Sequence, residues 1–443
     1  MQEKTGLKDR ILSWARSEQG AVVLLLLAAL LLRAAYAYFS DVPPWNDMEE
    51  WDKARLSILN GQPYTAAWTP LYPALLALVS KIFGGGYFLL NCVNAILVSL
   101  SCLFTYLAAK EIFGRKTALL ALAASAFYVD TVWYSALMLA ENLGIFMIAF
   151  LTWRVVKGGR AWVNGVLFGL TCLAKGLFLA LLPGFIAWIY VRERETGWLK
   201  KASVFTGMML LTLLPWSARN VMVYKAPVLL EPHWASAVFV GHNPYATGGC
   251  DYDFTGYDYG KFYFDQSLSP VEKNKIFLRK ALEFAAANPL REVKLTLLKA
   301  SKHLTFATSF VFYRTPYPAR KFMFGLSLLQ NMILFPLCAL GIAFSFRDRG
   351  AFGPAMIIAI LAGAFITVFS ANTRMRLPLV PAMLTLSAHG AMLLPGLVAR
   401  LRAGDTAGIR GKLAGAASAA ALLFANFVYQ VLSRYGDVAG RFN

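Results

Sequence analysis

The sequence predicts an all-α polytopic membrane protein with about 11 transmembrane helices, an amphipathic first outer loop and a large second outer loop. Three observations predict it. The chain has 443 residues, 58% hydrophobic and only 15% charged, whereas soluble domains carry about 45–50% apolar and about 25% charged residues. Apolar runs of spanning length recur along it, and most basic residues fall in alternate short loops between them. The net charge of +19 is therefore read as a topology signal, which leaves no case for a nucleic-acid partner.

Read against a hydrocarbon core of ~30 Å, the predicted spans are 20–39, 87–109, 117–127, 134–155, 162–174, 177–191 and 204–216. After a long polar segment come 322–346, 352–370, 377–398 and 413–432. Lys4, Lys8, Arg10 and Arg16 precede the first span, and Lys110, Arg115 and Lys116 begin the series of basic alternate loops. Arg154 to Arg160, Arg192 to Lys201, Arg347 with Arg349, and Arg400 to Lys412 continue it. All fall on one side if the N-terminus is cytoplasmic. The expected location is thus a multi-pass plasma (inner) membrane, with the site on the outer, periplasmic face. Basic residues ahead of the first run and Ala35-Tyr36-Ala37 behind it also fit a signal peptide, although Arg33 interrupts that reading.

The expected organisation has three parts: an N-terminal transmembrane module, 1–217, carrying the first outer (catalytic) loop, 40–86; a large, partly helical outer loop, 218–321; and C-terminal helices, 322–443. In the first outer loop, Trp45-Asn46-Asp47-Met48-Glu49-Glu50-Trp51 opens a helix running to Asn60 and stopped by Gly61. Asn46 with Glu49, or Asp47 with Glu50, fits an N-cap and capping-box acid. In the large loop, Asn288-Pro289 reads as N-cap and first residue of another helix. Leu290, Val293, Leu297 and Leu304 form its apolar stripe, and Arg291, Lys294, Lys299 and Lys302 its basic flank. Such a helix belongs to a small packed domain or to a lipid-headgroup contact.

Chemistry is sought where charge opposes topology. Lys175, Arg219, Arg374 and Arg376 sit at outer span ends, against the usual bias. Snorkelling, or pairing with Asp47, Glu50 or Glu141, explains any one of them. Four on one face favour an anionic ligand such as a lipid phosphate or pyrophosphate. Glu141 lies in the apolar run at the outer end of the fourth span, where an acid is a functional candidate. Of the four histidines, His242 is a candidate ligand-positioning residue and His389 a core residue. The five cysteines show no disulfide or metal spacing. Asp47, Glu49 and Glu141 remain candidates for a divalent cation, Mg or Mn, with metal use open.

These residues resemble the GT-C glycosyltransferases, most closely the protein O-mannosyltransferase and lipid A aminoarabinose transferase branches. Asp47, Trp51, Ala54, Gly61, Pro70 and Pro73 follow the order of that family's first outer loop, ending in Lys81-Ile82-Phe83-Gly84. Glu141 matches its later acid, and Lys175 the base of its Leu-Thr-x-x-Lys/Arg stretch. Trp216-Ser217-Ala218-Arg219-Asn220 matches Trp-x-x-Arg-Asn, and Gly241-His242-Asn243-Pro244 resembles Gly-Asn-Asn-Pro. Arg374-Met375-Arg376-Leu377-Pro378 resembles Arg-Tyr-Arg-Leu-Pro. The similarity runs in order along nearly the whole chain. It departs at Trp51 for Tyr, at His242 for Asn, and in lacking a C-terminal soluble domain.

The resemblance implies an inverting transfer of sugar from a polyprenyl-phosphate donor, of the undecaprenyl-phosphate type, to an acceptor hydroxyl. The acceptor is a lipid, glycan or protein, and membrane lipids are further partners. Asp47 would be the general base and Glu141 would orient the acceptor or a cation. Glu50, Lys175, Arg219, His242, Asn243, Arg374 and Arg376 would bind substrate. Two other readings stay open. A lipid or solute transporter would use Asp47 and Glu141 as coupling acids, but expects midplane acids and repeated halves. A polymerase or ligase using a pyrophosphate-linked glycan would use the same bases.

Overall fold

The structure is a computed structural model that describes residues 13–14, 17–40, 43–64, 68–250, 258–308 and 317–439. Lys4, Lys8, Arg10 and Arg16 of the N-terminus, and Tyr252, Phe254 and Tyr257 of the large loop, lie outside the described residues. Among those described, every regular element is helical; the β-type pairing is one isolated bridge, Gly249 with Ala371.

In chain order the first half holds α1 (Glu18–Ser40), α2 (Asp47–Leu59), α3 (Leu71–Phe83), α4 (Tyr87–Phe113), α5 (Arg115–Ala126), α6 (Val129–Ser135), α7 (Glu141–Val156) and α8 (Ala161–Ala174). A 3₁₀ turn (Gly176–Leu181) leads into α9 (Leu182–Glu193) and α10 (Trp198–Tyr224). The large loop contains α11 (Trp234–Gly241), α12 (Asp258–Tyr263), α13 (Pro270–Ala287) and α14 (Pro289–His303). Then come α15 (Tyr317–Ser345), α16 (Phe352–Thr367), a 3₁₀ helix (Thr373–Leu379), α17 (Val380–Arg402) and α18 (Arg410–Ala439).

Among the described residues six helices are long and apolar enough to cross a membrane, or seven if the bent pair α5 and α6 counts as one span. The expected count of about 11 is not reached on that measure. Helices α8 and α16 are apolar but only 14 and 16 residues long, about 21–24 Å at 1.5 Å per residue. The fourth predicted span, 134–155, also needs correcting. The chain leaves helix after Ser135, turns, and resumes at Glu141. An apolar run conceals this break because protein, not water, satisfies the freed carbonyls. Asn142 Nδ2 donates to Tyr134 O at 3.1 Å and Leu137 O at 2.9 Å, and Asn94 Nδ2 donates to Leu137 O at 2.9 Å.

Arg33, which interrupts the first apolar run, is fully buried between α1 and the bent pair. Its guanidinium donates to Ala29 O, Ala126 O and Ser125 O, each at 3.0 Å, and to Thr131 Oγ1 at 2.9 Å. It thus satisfies the carbonyls released where α5 ends, close to the 49° bend. An Arg33→Met variant keeps the volume but strands these acceptors. The expected loss is about 1.5–3 kcal/mol, read as a lower melting temperature of the purified protein.

Helices α15 and α17 cross at near-backbone contact. A Cβ at Gly341 would meet Leu386 O at 2.1 Å, and one at Gly390 would meet Leu337 O at 2.1 Å. Small residues permit this approach, as at other intramembrane crossings. The pairing fixes α17, and with it the 3₁₀ helix that precedes it, against the rest of the bundle.

Helix α2 forms over the expected residues and ends before Gly61, whose φ is +66°. The capping expectation fails: Asn46 is the N-cap residue at φ 52°, but its side chain makes no cap hydrogen bond. Helix α14 starts with Pro289 after Asn288, as expected, again without a side-chain cap bond. The apolar stripe of Leu290, Val293, Leu297 and Leu304 is exposed, whereas Lys299 is fully buried and so, against expectation, is no part of a solvated basic flank.

Candidate active site

Four helix ends meet at one end of the bundle, and each brings a charge. Asp47 is the first residue of α2 and Glu141 the first of α7. Lys175 follows the last residue of α8, and Arg374 is the second residue of the 3₁₀ helix. Arg374 Nη2 donates to Asp47 Oδ2 at 2.6 Å, and its Nε lies 2.9 Å from Glu141 Oε1, an ion pair off the hydrogen-bond direction. Lys175 Nζ donates to the same Glu141 Oε1 at 2.8 Å. The result is a charge-balanced chain of two carboxylates and two cations, Asp47–Arg374–Glu141–Lys175.

Local backbone explains how these side chains converge. Lys175 is extended (φ −160°, ψ 122°) between α8 and the 3₁₀ turn, which frees its side chain from the helix surface. Glu231 Oε1 accepts the next amide, Gly176 N, at 3.1 Å and holds that bend. Asn372 Oδ1 accepts Arg374 N at 2.9 Å and starts the 3₁₀ helix. Trp51 braces α2 from beneath, with ring centroids 5.1 Å from Trp68 and 5.6 Å from Tyr72. Trp68 in turn meets His233 edge-on at 4.7 Å. Tyr263 of α12 faces the same acidic corner; burial, then the charges of Glu50 and Asp47, holds its hydroxyl above the usual range.

Exposure separates the roles of the two acids. The Asp47 side chain is 35% exposed and that of Glu141 only 2%. Asp47 is open to the surroundings, whereas Glu141 is closed off by the two cations that flank it.

The remaining candidates lie elsewhere. Arg376 is buried and bonds to His303 O, Thr305 O and Thr308 Oγ1, with its guanidinium 5.4 Å from the Phe335 ring centroid. It straps the chain after α14 and does not reach the charge chain. Arg219 bonds to Tyr64 O and Asn220 Oδ1 and stacks on Tyr64, Trp216 and Tyr224, which pins the first loop to α10. His242 Nδ1 lies 2.7 Å from Glu292 Oε2, and its Nε2 lies 2.9 Å from Lys299 Nζ. Asn243 is buried in a turn, donating to Phe239 O and Val240 O. Glu50 pairs with Lys53 at 2.7 Å on the surface, and Glu49 is exposed. His389, the expected core residue, stacks on Phe113 at 3.9 Å.

Comparison with known proteins adds a family match over part of the chain, and a fold. A model of the dolichyl-phosphate-mannose-protein mannosyltransferase family matches residues 66–219. No curated protein sequence matches the chain. The archaeal oligosaccharyltransferase AglB from Archaeoglobus fulgidus, in complex with an inhibitory peptide and a dolichol-phosphate, superposes with a TM-score of 0.52. Identity is 15%, over 93% of this chain and 55% of that one. The chain has the GT-C fold.

Other GT-C structures match too. The apo form of the A. fulgidus enzyme gives a TM-score of 0.51 at 16% identity, covering 92% of this chain and 55% of that one. ArnT from Cupriavidus metallidurans bound to undecaprenyl phosphate gives 0.42 at 15% identity, over 86% and 80% of the two chains. The chain thus spans about half the length of the A. fulgidus relative.

Within this GT-C frame the donor set does not fit a metal. The Arg374 guanidinium lies between Asp47 and Glu141, and Glu49 stays at the surface. Among the described residues no group of three or more His, Cys, Asp or Glu side chains gathers for a cation. No step below is routed through one.

Two features escaped the sequence reading. Glu231, which positions the bend after Lys175, gives no signal beyond lying in a polar loop. Asp130 is buried and accepts from Thr308 Oγ1 at 2.7 Å, Ser327 Oγ at 2.5 Å and Tyr128 Oη at 3.2 Å. The rule applied to Glu141, an acid among apolar neighbours, would have found it.

Proposed function

We propose that the chain is an integral membrane glycosyltransferase transferring a sugar from a polyprenyl-phosphate donor to an acceptor hydroxyl, inverting, on the outer face. The observation that carries this reading is the Asp47–Arg374–Glu141–Lys175 chain: an accessible carboxylate beside two cations at a membrane-protein helix end. The matching mannosyltransferase family uses a dolichyl-phosphate sugar by name, and the A. fulgidus relative was solved with a dolichol-phosphate. Both support a lipid phosphate as the group that the cations meet.

The donor phosphate draws Lys175 and Arg374 toward it, which releases Asp47 Oδ2 from its ion pair. Asp47 takes the proton of the acceptor hydroxyl as the oxygen bonds to the anomeric carbon. The bond from that carbon to the phosphate oxygen breaks, and its electron pair leaves on the lipid phosphate. Lys175 and Arg374 stabilise that developing charge in a partly dry site, where charge–charge terms exceed their value in water. Glu141 stays paired with both cations as they turn to the phosphate. The positive-inside pattern supports an outer active face.

The test is transfer of radiolabelled sugar from a synthetic polyprenyl-phosphate donor to a membrane extract by the purified protein. A covalent product supports the reading. Lipid translocation without product sinks it in favour of a transporter, and activity only with pyrophosphate-linked glycan favours a polymerase or ligase. Lys175→Met removes one charge-assisted contact and is expected to lower kcat/KM for the donor about ten- to a hundredfold. An unchanged value would remove Lys175 from phosphate binding.

A further inference from the structure

Helix α14 has a buried polar face and an exposed apolar one, the reverse of a helix packed on a water-facing surface. Leu295, Lys299 and His303 are buried. Lys299 Nζ sits 2.9 Å from His242, and His303 stacks on Phe365 with centroids 5.7 Å apart. Burial pushes the Lys299 ammonium down to about 8, although Glu292 pulls it the other way. Burial, then Arg376, holds His303 down to about 3. Meanwhile Leu290, Val293, Leu297 and Leu304 are 85%, 59%, 66% and 40% exposed. A stripe this apolar is left in water only at a cost.

Two observations say what covers it. The first is depth. The backbone carbonyl of Ser301, one turn after Leu297, accepts from Asn426 Nδ2 at 2.9 Å and Gln430 Nε2 at 2.5 Å of α18, and the Ser301 hydroxyl, on the same side of the helix as Leu297, accepts from Gln430 Nε2 at 3.1 Å. Those residues lie about 24–30 Å along α18 from Arg410, at 1.5 Å per residue, so they stand at the far boundary of a ~30 Å hydrocarbon layer. The second is continuity. Helix α18 exposes Leu422, Val428, Tyr429 and Leu432, the surface of a span that faces lipid. The α14 stripe extends this surface at the level where hydrocarbon gives way to headgroups. Arg291 and Lys294 flank the stripe, and Lys294 is exposed.

We infer that α14 is a monotopic helix seated in the leaflet on the site side. Its stripe of Leu290, Val293 and Leu297 enters the headgroup–acyl boundary, and the exposed Lys294 faces anionic headgroups. The seat is coupled to the charge chain. Arg376 holds the carbonyls of His303, the last residue of α14, and Thr305, two residues on, and it lies two residues from Arg374. Leaflet contact therefore fixes one side of the segment that presents Arg374.

The experiment places a bimane fluorophore at Leu297→Cys in a Cys92→Ser, Cys250→Ser background, the other three cysteines being buried. The full protein is reconstituted in phosphatidylcholine–phosphatidylglycerol vesicles, with Gln266→Cys as the exposed-loop control. Expected is quenching by acyl-chain nitroxide lipid about threefold stronger at position 297 than at 266, with aqueous iodide showing the opposite order, as a depth of about 5–10 Å requires. Equal iodide quenching at both sites would overturn the inference by placing the stripe in water. Protection of position 297 from both quenchers would overturn it equally, by showing a protein covering the stripe.

Discussion

Asp47→Asn is expected to lower kcat for sugar transfer by about 10²–10⁴-fold while leaving the donor KM unchanged or lower. The split follows from the geometry. On the proposed reading Asp47, the accessible acid, takes the hydroxyl proton, so its loss removes that acceptor. It is also the resting partner of Arg374 at 2.6 Å. Without that charge, Arg374 meets the donor phosphate with less competition, and ground-state binding does not suffer. Steady-state kinetics with a radiolabelled polyprenyl-phosphate sugar checks both halves, with the melting temperature as a folding control. Wild-type kcat in the variant would remove Asp47 as the base. A raised donor KM with kcat intact would make it a binding residue instead.

Arg374→Ala is expected to damage stability and activity together, and Arg374→Lys to separate them. In the alanine variant Glu141, 2% exposed, keeps only Lys175. Breaking a buried pair costs about 3–5 kcal/mol, and the surviving lysine puts this case near 3. Loss of a preorganised cation at the leaving group adds about 10²–10³-fold in kcat. Lysine restores the charge but not the fork, since one ammonium does not span from Asp47 to Glu141 as the guanidinium does. Arg374→Lys is therefore expected to regain most of the melting temperature and little of the rate. Recovery of full activity by lysine would show that charge alone matters and that the bridge does not.

The sequence made some of this legible and hid the rest for physical reasons. Helix α2 was readable because Met48, Trp51, Ile58 and Leu59 repeat with helical period and Gly61 follows. Asp47, Glu141, Lys175 and Arg374 were readable as charges that apolar surroundings or topology make costly, and the structure places them together. Arg376 carries the same signal as Arg374 yet points elsewhere, because residues two apart on a 3₁₀ helix project from different sides. Its partners, the carbonyls of His303 and Thr305, are backbone groups that no residue type announces. His242 pairs with Glu292, fifty residues on, and Arg219 with the Tyr64 carbonyl; such pairings depend on tertiary packing. The break at 136–140 was invisible because buried asparagines, not glycine or proline, accommodate it.

The link between Asp47 and Arg374 joins residues 327 apart. On a growing chain, about 16–65 s at about 5–20 residues per second separate the making of one from the other. Glu141 and Lys175 are only 34 apart and can pair early. Asp47 must wait for 327 more residues before its partner exists. On the proposed reading, an unfinished or truncated product holds the proton acceptor without the cation that sets the site, so it consumes no lipid-linked sugar. On the same reading, catalytic competence waits until Arg374 has been made.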